Sequence, residues 1–383
     1  MSLLVEPAST PGRYRVTFRW RPGAAGELAV VLINTLTDRD RHAGDISGHV
    51  MRPAAGGEVL EAVYELDGDL RASYQILPCA EVPGTDRASW LRALETAGPD
   101  PDNPVLVPAS PGRRPSSLLE LPGAPAQPYR EARPGVARGR MTEHTVAGRR
   151  LWTYTPPNGP ITTPAPGPAF TPSSAPSSTS AGHGGGPYPV VVFLDGDVWA
   201  ERIGPTLDNL IAAGRIPPVV AVLPDAVDRP TRLRELACHE PFVRHLAEEV
   251  LPWAERELNA SPDPQLTVIA GQSLGGLAAS YAAYLAPERF GAVVSQSGSY
   301  WWSDADPEWL TRQYARSPRR TVRFYVEVGR LEWMLLGENR RFAETLAAQG
   351  YEVAFSEFAG GHDPACWLGG LARGLETVGA GWL

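Results

Sequence analysis

The sequence predicts an immunoglobulin-like β-sandwich followed by a mostly parallel sheet with helices on both faces. Three observations predict it. The first 80 residues read as β, with apolar and polar side chains alternating with a period of two over 13–20. From about residue 140, continuous apolar runs of strand length alternate with helical patterns. Between these regimes residues 98–135 are Pro-rich and irregular, which sets a boundary near residue 135 and domains over 1–135 and 136–383.

Taken in order, Tyr14, Val16, Phe18 and Trp20 alternate with Arg13, Arg15, Thr17 and Arg19, giving a strand with one apolar and one wet face. Further β-type runs follow at 28–34, 59–66 and 72–77, separated by Gly, Pro and Asp turns. Short strands at this spacing predict an antiparallel sandwich. In the second region apolar runs at 190–194, 219–223, 266–270, 290–294, 322–328 and 353–358 read as strands buried on both faces. Phe242, Leu246, Val250 and Ala254 recur every fourth position and predict a helix over 242–258. A second helix is expected over 337–349, ending before Gly350. Residues 156–187 hold nine Pro in 32 positions. Because strand-like segments flank this stretch, it reads as a disordered loop inserted within the second domain.

Composition excludes several classes of function. A chain of 383 residues, 43% apolar and 20% charged, is globular and long enough for two domains. A net charge of −8 argues against general nucleic-acid binding, which needs clustered positive charge. No apolar run is long enough for a transmembrane helix, and no basic segment leads into an apolar stretch at the N-terminus, so no membrane role and no secretory signal are expected. Cys79, Cys238 and Cys366 are far apart and lack zinc-site spacing, as expected of reduced cytoplasmic thiols.

Gly271-Gln272-Ser273-Leu274-Gly275 matches the G-x-S-x-G nucleophile elbow of α/β-hydrolases. The pattern alone is weak. Its context is what counts: it follows the strand-like 266–270 and opens a helical run from Leu277. Small residues at Gly271 and Gly275 suit a strained turn that lifts the serine oxygen above the sheet. Of the seven histidines only His362 follows the serine, as the Ser–acid–His order of this fold requires. Gly360 and Gly361 would let its loop bend. The acid belongs after the run 322–328, which selects Glu332 over Glu327, inside the strand, and Asp363, beside the histidine. The two backbone N–H groups of an oxyanion hole map to Leu274, after the serine, and Asp197, after the third strand.

The chain resembles the ferric enterobactin (enterochelin) esterases, siderophore trilactone hydrolases of the α/β-hydrolase class. The resemblance runs nearly end to end. It rests on Arg71-Ala72-Ser73-Tyr74-Gln75-Ile76-Leu77-Pro78, Asp100-Pro101-Asp102-Asn103-Pro104 and Leu119-Glu120-Leu121-Pro122-Gly123-Ala124-Pro125 in the first domain. In the second it rests on Leu194-Asp195-Gly196-Asp197-Val198-Trp199, Arg234-Glu235-Leu236, Gly271-Gln272-Ser273-Leu274-Gly275-Gly276, Ser295-Gln296-Ser297-Gly298-Ser299-Tyr300-Trp301-Trp302 and Gly360-Gly361-His362-Asp363-Pro364-Ala365-Cys366-Trp367. The family's serine, histidine and post-strand glutamate fall on Ser273, His362 and Glu332. The resemblance implies a cytoplasmic esterase that cleaves a ferric or iron-free catecholate siderophore and needs no cofactor or metal of its own, since iron arrives with the substrate. The rival readings are a general carboxylesterase or acyltransferase on the same fold, and a binding protein with an inactive hydrolase scaffold. A ferric tris-catecholate is anionic while this chain is net negative, so recognition calls for local cations. Arg232 and Arg234, beyond the run 219–223, are the candidates, with Arg130 and Arg133 near the domain junction. Trp199 and Trp301, inside the shared strings, complete the expected substrate contacts.

Overall fold

The computed structural model describes residues 3–107, 114–160, 187–303 and 305–382. Most of the Pro-rich insert (161–186) therefore lies outside the described residues. The strands are β1 (Leu3–Pro7), β2 (Arg13–Trp20), β3 (Leu28–Ile33), β4 (Arg52–Pro53), β5 (Leu60–Asp67), β6 (Arg71–Cys79), β7 (Leu106–Val107), β8 (Ser116–Glu120), β9 (Arg140–Val146), β10 (Arg149–Thr155), β11 (Val190–Phe193), β12 (Val220–Pro224), β13 (Thr267–Gln272), β14 (Ala292–Gln296), β15 (Arg323–Gly329) and β16 (Glu352–Phe358). The helices are α1 (Leu36–His42), α2 (Arg87–Thr96), α3 (Gly196–Trp199), α4 (Ile203–Ala212), α5 (Arg229–Glu235), α6 (Glu240–His245), α7 (Leu251–Leu258), α8 (Leu274–Leu285), α9 (Trp309–Arg316), α10 (Leu336–Ala348) and α11 (Pro364–Val378).

The N-terminal strands form two antiparallel sheets, ordered β1-β2-β5-β4 and β3-β6-β8-β7. The alternation read in β2 has the expected consequence. Val16 and Phe18 are fully buried and pack with Val31 and Ile33 of β3 and Tyr74 and Ile76 of β6, so the two sheets face each other across one core. Edge-on ring contacts join Phe18 to Tyr64 and Tyr74.

The C-terminal strands form one sheet in the order β16-β15-β14-β13-β11-β12-β10-β9. β11 pairs in parallel with both β12 and β13, β13 with β14, and β9 and β10 form the antiparallel end. This is the sheet of an α/β-hydrolase. Val190–Phe193, Val220–Pro224 and Thr267–Gln272 are buried throughout, as strands covered on both faces must be. The helix expected over 242–258 is interrupted. A π turn at Leu246–Val250 separates α6 from α7, and Pro252 explains it: proline has no N–H for the ladder and its ring crowds the carbonyl four residues back.

The chain divides into two compact units. The first comprises Met1–Pro128 with Glu327–Arg340 and Ser356–Gly370; the second comprises Tyr129–Val326 with Arg341–Phe355 and Leu371–Leu383. The segment Ser356–Gly370 therefore groups with the sandwich, and main-chain bonds show why. Arg71 N–H on β6 donates to Ala359 O (2.9 Å), and Ser73 N–H donates to the Asp363 carboxylate (2.5 Å).

Candidate active site

The turn expected to carry the nucleophile, at Ser273, is built within the second unit. Ser273 sits at φ 59° and ψ −122°, between the end of β13 and the start of α8. An L-residue avoids this region, and holding one there costs on the order of 1–3 kcal/mol. The turn is held from several sides. Ser273 N–H donates to Gln296 O (3.0 Å), Ser299 N–H donates to Ser273 O (3.0 Å), and the Gln272 amide donates to the Gln296 side-chain oxygen (2.6 Å). Ser273 Oγ lies 3.4 Å from Ser299 Oγ.

The glycines of the turn differ in their duties. A Cβ on Gly271 would lie 2.6 Å from the Gly275 carbonyl group, and one on Gly276 would lie 2.6 Å from Ser295 Oγ. A Cβ on Gly275 would meet Asp195 at 3.5 Å and Leu194 at 3.7 Å, ordinary contacts. The steric demand expected at Gly271 is present, whereas the one expected at Gly275 falls on Gly276.

Leu274 is the first residue of α8, so its N–H belongs to the donors that a helix leaves unpaired at its N-terminus. The loop after β11 runs beside this turn, with Leu194 N–H donating to Ala270 O (3.0 Å). Gly196 fits because a Cβ there would lie 2.2 Å from Leu223 O. Asp197 follows within α3, and its carboxylate accepts from Ala226 N–H (3.3 Å). Burial, with Asp195 and Asp225 nearby, raises the Asp197 carboxyl above its ordinary range.

The residues expected as base and acid, His362 and Glu332, lie in the first unit. His362 Nδ1 is 2.6 Å from a Glu332 carboxylate oxygen, and the other oxygen accepts from Gly329 N–H (2.8 Å). Glu332 is buried whereas the His362 side chain is 37% exposed, so the carboxylate is shielded and the imidazole is open. The His362 ring stands edge-on to Trp367 at 4.8 Å. Asp363 is buried and accepts from Ser73 N–H and Ala365 N–H, a load-sharing role between β6 and the start of α11. Burial raises its carboxyl. Gly360 and Gly361 serve close approach rather than bending. A Cβ on Gly360 would lie 2.5 Å from Cys366 Sγ, and one on Gly361 would lie 2.0 Å from Thr35 Oγ1. Among the described residues, no group of three or more His, Cys, Asp or Glu is placed to hold a metal ion.

Residues 15–130 match the enterochelin esterase N-terminal family, and residues 175–378 match the esterase family. The iron(III) enterobactin esterase of Dickeya dadantii is 31% identical over 98% of this chain and 89% of its own length. The chain belongs to the enterochelin esterase family. The solved ferric enterobactin esterase of Salmonella typhimurium superposes with a TM-score of 0.81 at 28% identity, covering all of this chain and 97% of that one. The Shigella flexneri enterobactin esterase, solved in the presence of enterobactin, gives 0.79 at 28% identity, with the same coverage.

In this member of the enterochelin esterase family the residues expected to meet substrate have distinct surroundings. Arg232 donates through Nε and a terminal nitrogen to both Asp195 oxygens (2.6 and 2.7 Å), and Asp195 is 6% exposed. That bidentate pair holds α5 to the residue that precedes α3, the helix carrying Asp197. The Arg234 side chain is 57% exposed and lies 3.8 Å from Glu235. Trp199 is buried, edge-on to Phe193 at 5.4 Å and beneath the Arg202 guanidinium, whereas Trp301 is exposed. Arg130 pairs with Glu131, and Arg133 lies over the Tyr129 ring. Two functional candidates escaped sequence reasoning. Ser299 sits inside a shared string but gave no sign of reaching Ser273, and Thr35 carried no signal at all.

Proposed function

We propose that this protein is a serine esterase that hydrolyses the ester bonds of a ferric or iron-free catecholate trilactone siderophore such as enterobactin, and that it acts in the cytoplasm. Ser273 is the nucleophile, His362 its base and Glu332 the acid that orients the imidazole. The observation that carries this reading is the strained backbone of Ser273 between a parallel strand and a helix N-terminus. Further support comes from the 2.6 Å contact between His362 and Glu332 and from the related enzymes named above.

In the proposed cycle Ser273 Oγ attacks the ester carbonyl while its proton passes to His362. Glu332, accepting from Nδ1–H, fixes the tautomer and stabilises the imidazolium. The Leu274 and Asp197 N–H groups hold the oxyanion. Collapse expels the alkoxide, which takes the proton from His362 and leaves an acyl group on Ser273. Water, deprotonated by His362, then attacks the acyl carbon and frees the acid and the serine. The cycle uses no cofactor or metal of the protein's own; iron travels with the substrate.

The test is chromatography of products after incubation with ferric and iron-free trilactone. Ring-opened products are expected, and Ser273→Ala and His362→Ala should each cut turnover by several orders of magnitude. The double variant should be little worse than either, because triad members act as a unit. Turnover of simple aryl esters with an untouched lactone would overturn the substrate assignment. Additive losses would remove one residue from the triad.

A further inference from the structure

Thr35 stands in an odd position for a threonine. It precedes α1 as the N-cap residue, yet its side chain makes no bond to its own helix. Threonine at an N-cap ordinarily accepts from the second or third N–H of the helix, a bond whose loss costs about 1 kcal/mol. Its backbone sits at φ 66° and ψ −41°, a left-handed conformation that a β-branched residue rarely adopts. The side chain is buried, and its hydroxyl bonds elsewhere: Thr35 Oγ1 accepts from His362 N–H (2.8 Å) and donates to Asn34 Oδ1 (2.8 Å). Opposite it stands Gly361, where any Cβ would overlap the threonine side chain. A missing cap, a strained backbone and an obligatory glycine are thus all accounted for by one contact.

We infer that Thr35 is a positioning residue for the reaction, fixing the His362 main chain and through it the bond from Nδ1 to Glu332 and the aim of the opposite ring nitrogen. This rests on the reading of His362 as the base. The neighbouring ties support the assignment by their placement. Arg71 N–H bonds Ala359, Ser73 N–H bonds Asp363, and Cys366 Sγ–H donates to Arg71 O (3.3 Å). Each fixes a neighbour of His362 in the loop, and the Thr35 hydroxyl adds a bond to the histidine's own amide. The Asn34 amide group locks the hydroxyl rotor, so the oxygen lone pair facing His362 stays in place. Nothing in the reaction changes this bond, which distinguishes Thr35 from the groups that touch the ester.

Thr35→Ser and Thr35→Ala test the assignment, because both lose the methyl group and only the second loses the oxygen. We expect Thr35→Ser to keep nearly full kcat. Thr35→Ala should lose about tenfold to hundredfold in kcat with KM little changed, the scale of a small misplacement of a catalytic group. A readout independent of turnover is the low-field proton resonance of His362 Nδ1–H, expected in the parent and in Thr35→Ser but shifted or exchange-broadened in Thr35→Ala. Equal kcat in the two variants, or a loss confined to KM, would overturn the inference. If His362→Ala stays active, the base assignment fails instead, while the resonance still reports whether Thr35 orders the histidine.

Discussion

Arg232 shows how a single side chain that reads as a ligand contact in sequence can also be engaged in a structural ion pair. Its position beyond the end of β12 suits recognition of an anionic siderophore, but its guanidinium is already engaged by Asp195 in a bidentate pair. Removing it leaves a buried carboxylate without its counter-charge, a loss of about 3–5 kcal/mol when such a pair is broken from one side. Arg232→Ala should therefore lower the thermal midpoint and reduce turnover of a ferric trilactone and a small neutral aryl ester alike. Arg234, exposed and only 3.8 Å from Glu235, has no such obligation. Arg234→Ala should raise KM for the ferric substrate about tenfold, as expected for one charge-assisted contact, and spare the aryl ester. Steady-state kinetics on the two substrates with melting curves separate these outcomes. An Arg232→Ala enzyme with unchanged stability would show that the Asp195 pair contributes little.

At the scale of elements, the glycines around Ser273 give the sharpest contrast. Gly275 lies in α8 with room for a methyl group, and alanine favours a helix over glycine by about 0.5–1 kcal/mol. Gly275→Ala should fold with an unchanged or raised thermal midpoint. Gly276→Ala, whose Cβ would sit 2.6 Å from Ser295 Oγ and 3.1 Å from Gly298 Cα, should destabilise the protein markedly, an overpacking cost of about 1–3 kcal/mol. If the two melt alike, backbone packing does not govern the elbow. Many strands of the three sheets were legible from sequence because buried strands are written as apolar runs and half-buried ones as alternation, as in β2, β11 and β13. But β1, β4 and β9 were not read, and β7 and β8 lie in the stretch 98–135 that reads as irregular. β16, expected to be buried on both faces, is only partly buried at the edge of its sheet. The elbow and the Glu332 and His362 loops were legible because their positions follow chain order around a parallel sheet. The break between α6 and α7 was written in Pro252 but masked by an unbroken apolar period. The helices of the sandwich region, α1 and α2, were missed because short polar helices such as LTDRDRH and RASWLRALET carry little of the apolar stripe on which periodicity depends. The bond from Thr35 to His362 joins residues 327 positions apart, and no local pattern encodes such a contact.

Across the whole molecule, three histidines outside the proposed chemistry make stability depend on pH. His49 in the sandwich, His144 on β9 and His245 at the end of α6 all have their pKa values lowered from 6.5, and in each the largest cause is burial. Arg149 adds to the effect at His245, whereas Asp40 opposes it at His49 and Glu257 opposes it at His144. The fold therefore keeps these imidazoles neutral, while the unfolded chain protonates them once pH falls below about 6.5. In that window the unfolded state binds more protons than the folded one, so stability must fall as pH falls. Each histidine contributes a slope of up to about 1.4 kcal/mol per pH unit until its own lowered value is reached. The net charge of −8 acts in the opposite direction, since acid relieves self-repulsion, but that field is diffuse and is screened beyond about 8 Å at 0.15 M salt. Urea midpoints at that ionic strength should be nearly constant from pH 8 to 7 and then decline towards pH 5.5. His144 bonds Thr153 Oγ1 (3.1 Å) and packs against Trp253 at 5.1 Å, a site that glutamine can occupy without a titrating proton. His144→Gln should consequently lose less stability between pH 7.5 and 5.5 than the parent, whatever its stability at pH 7.5. An identical loss in the two proteins would mean that His144 carries no part of the pH dependence.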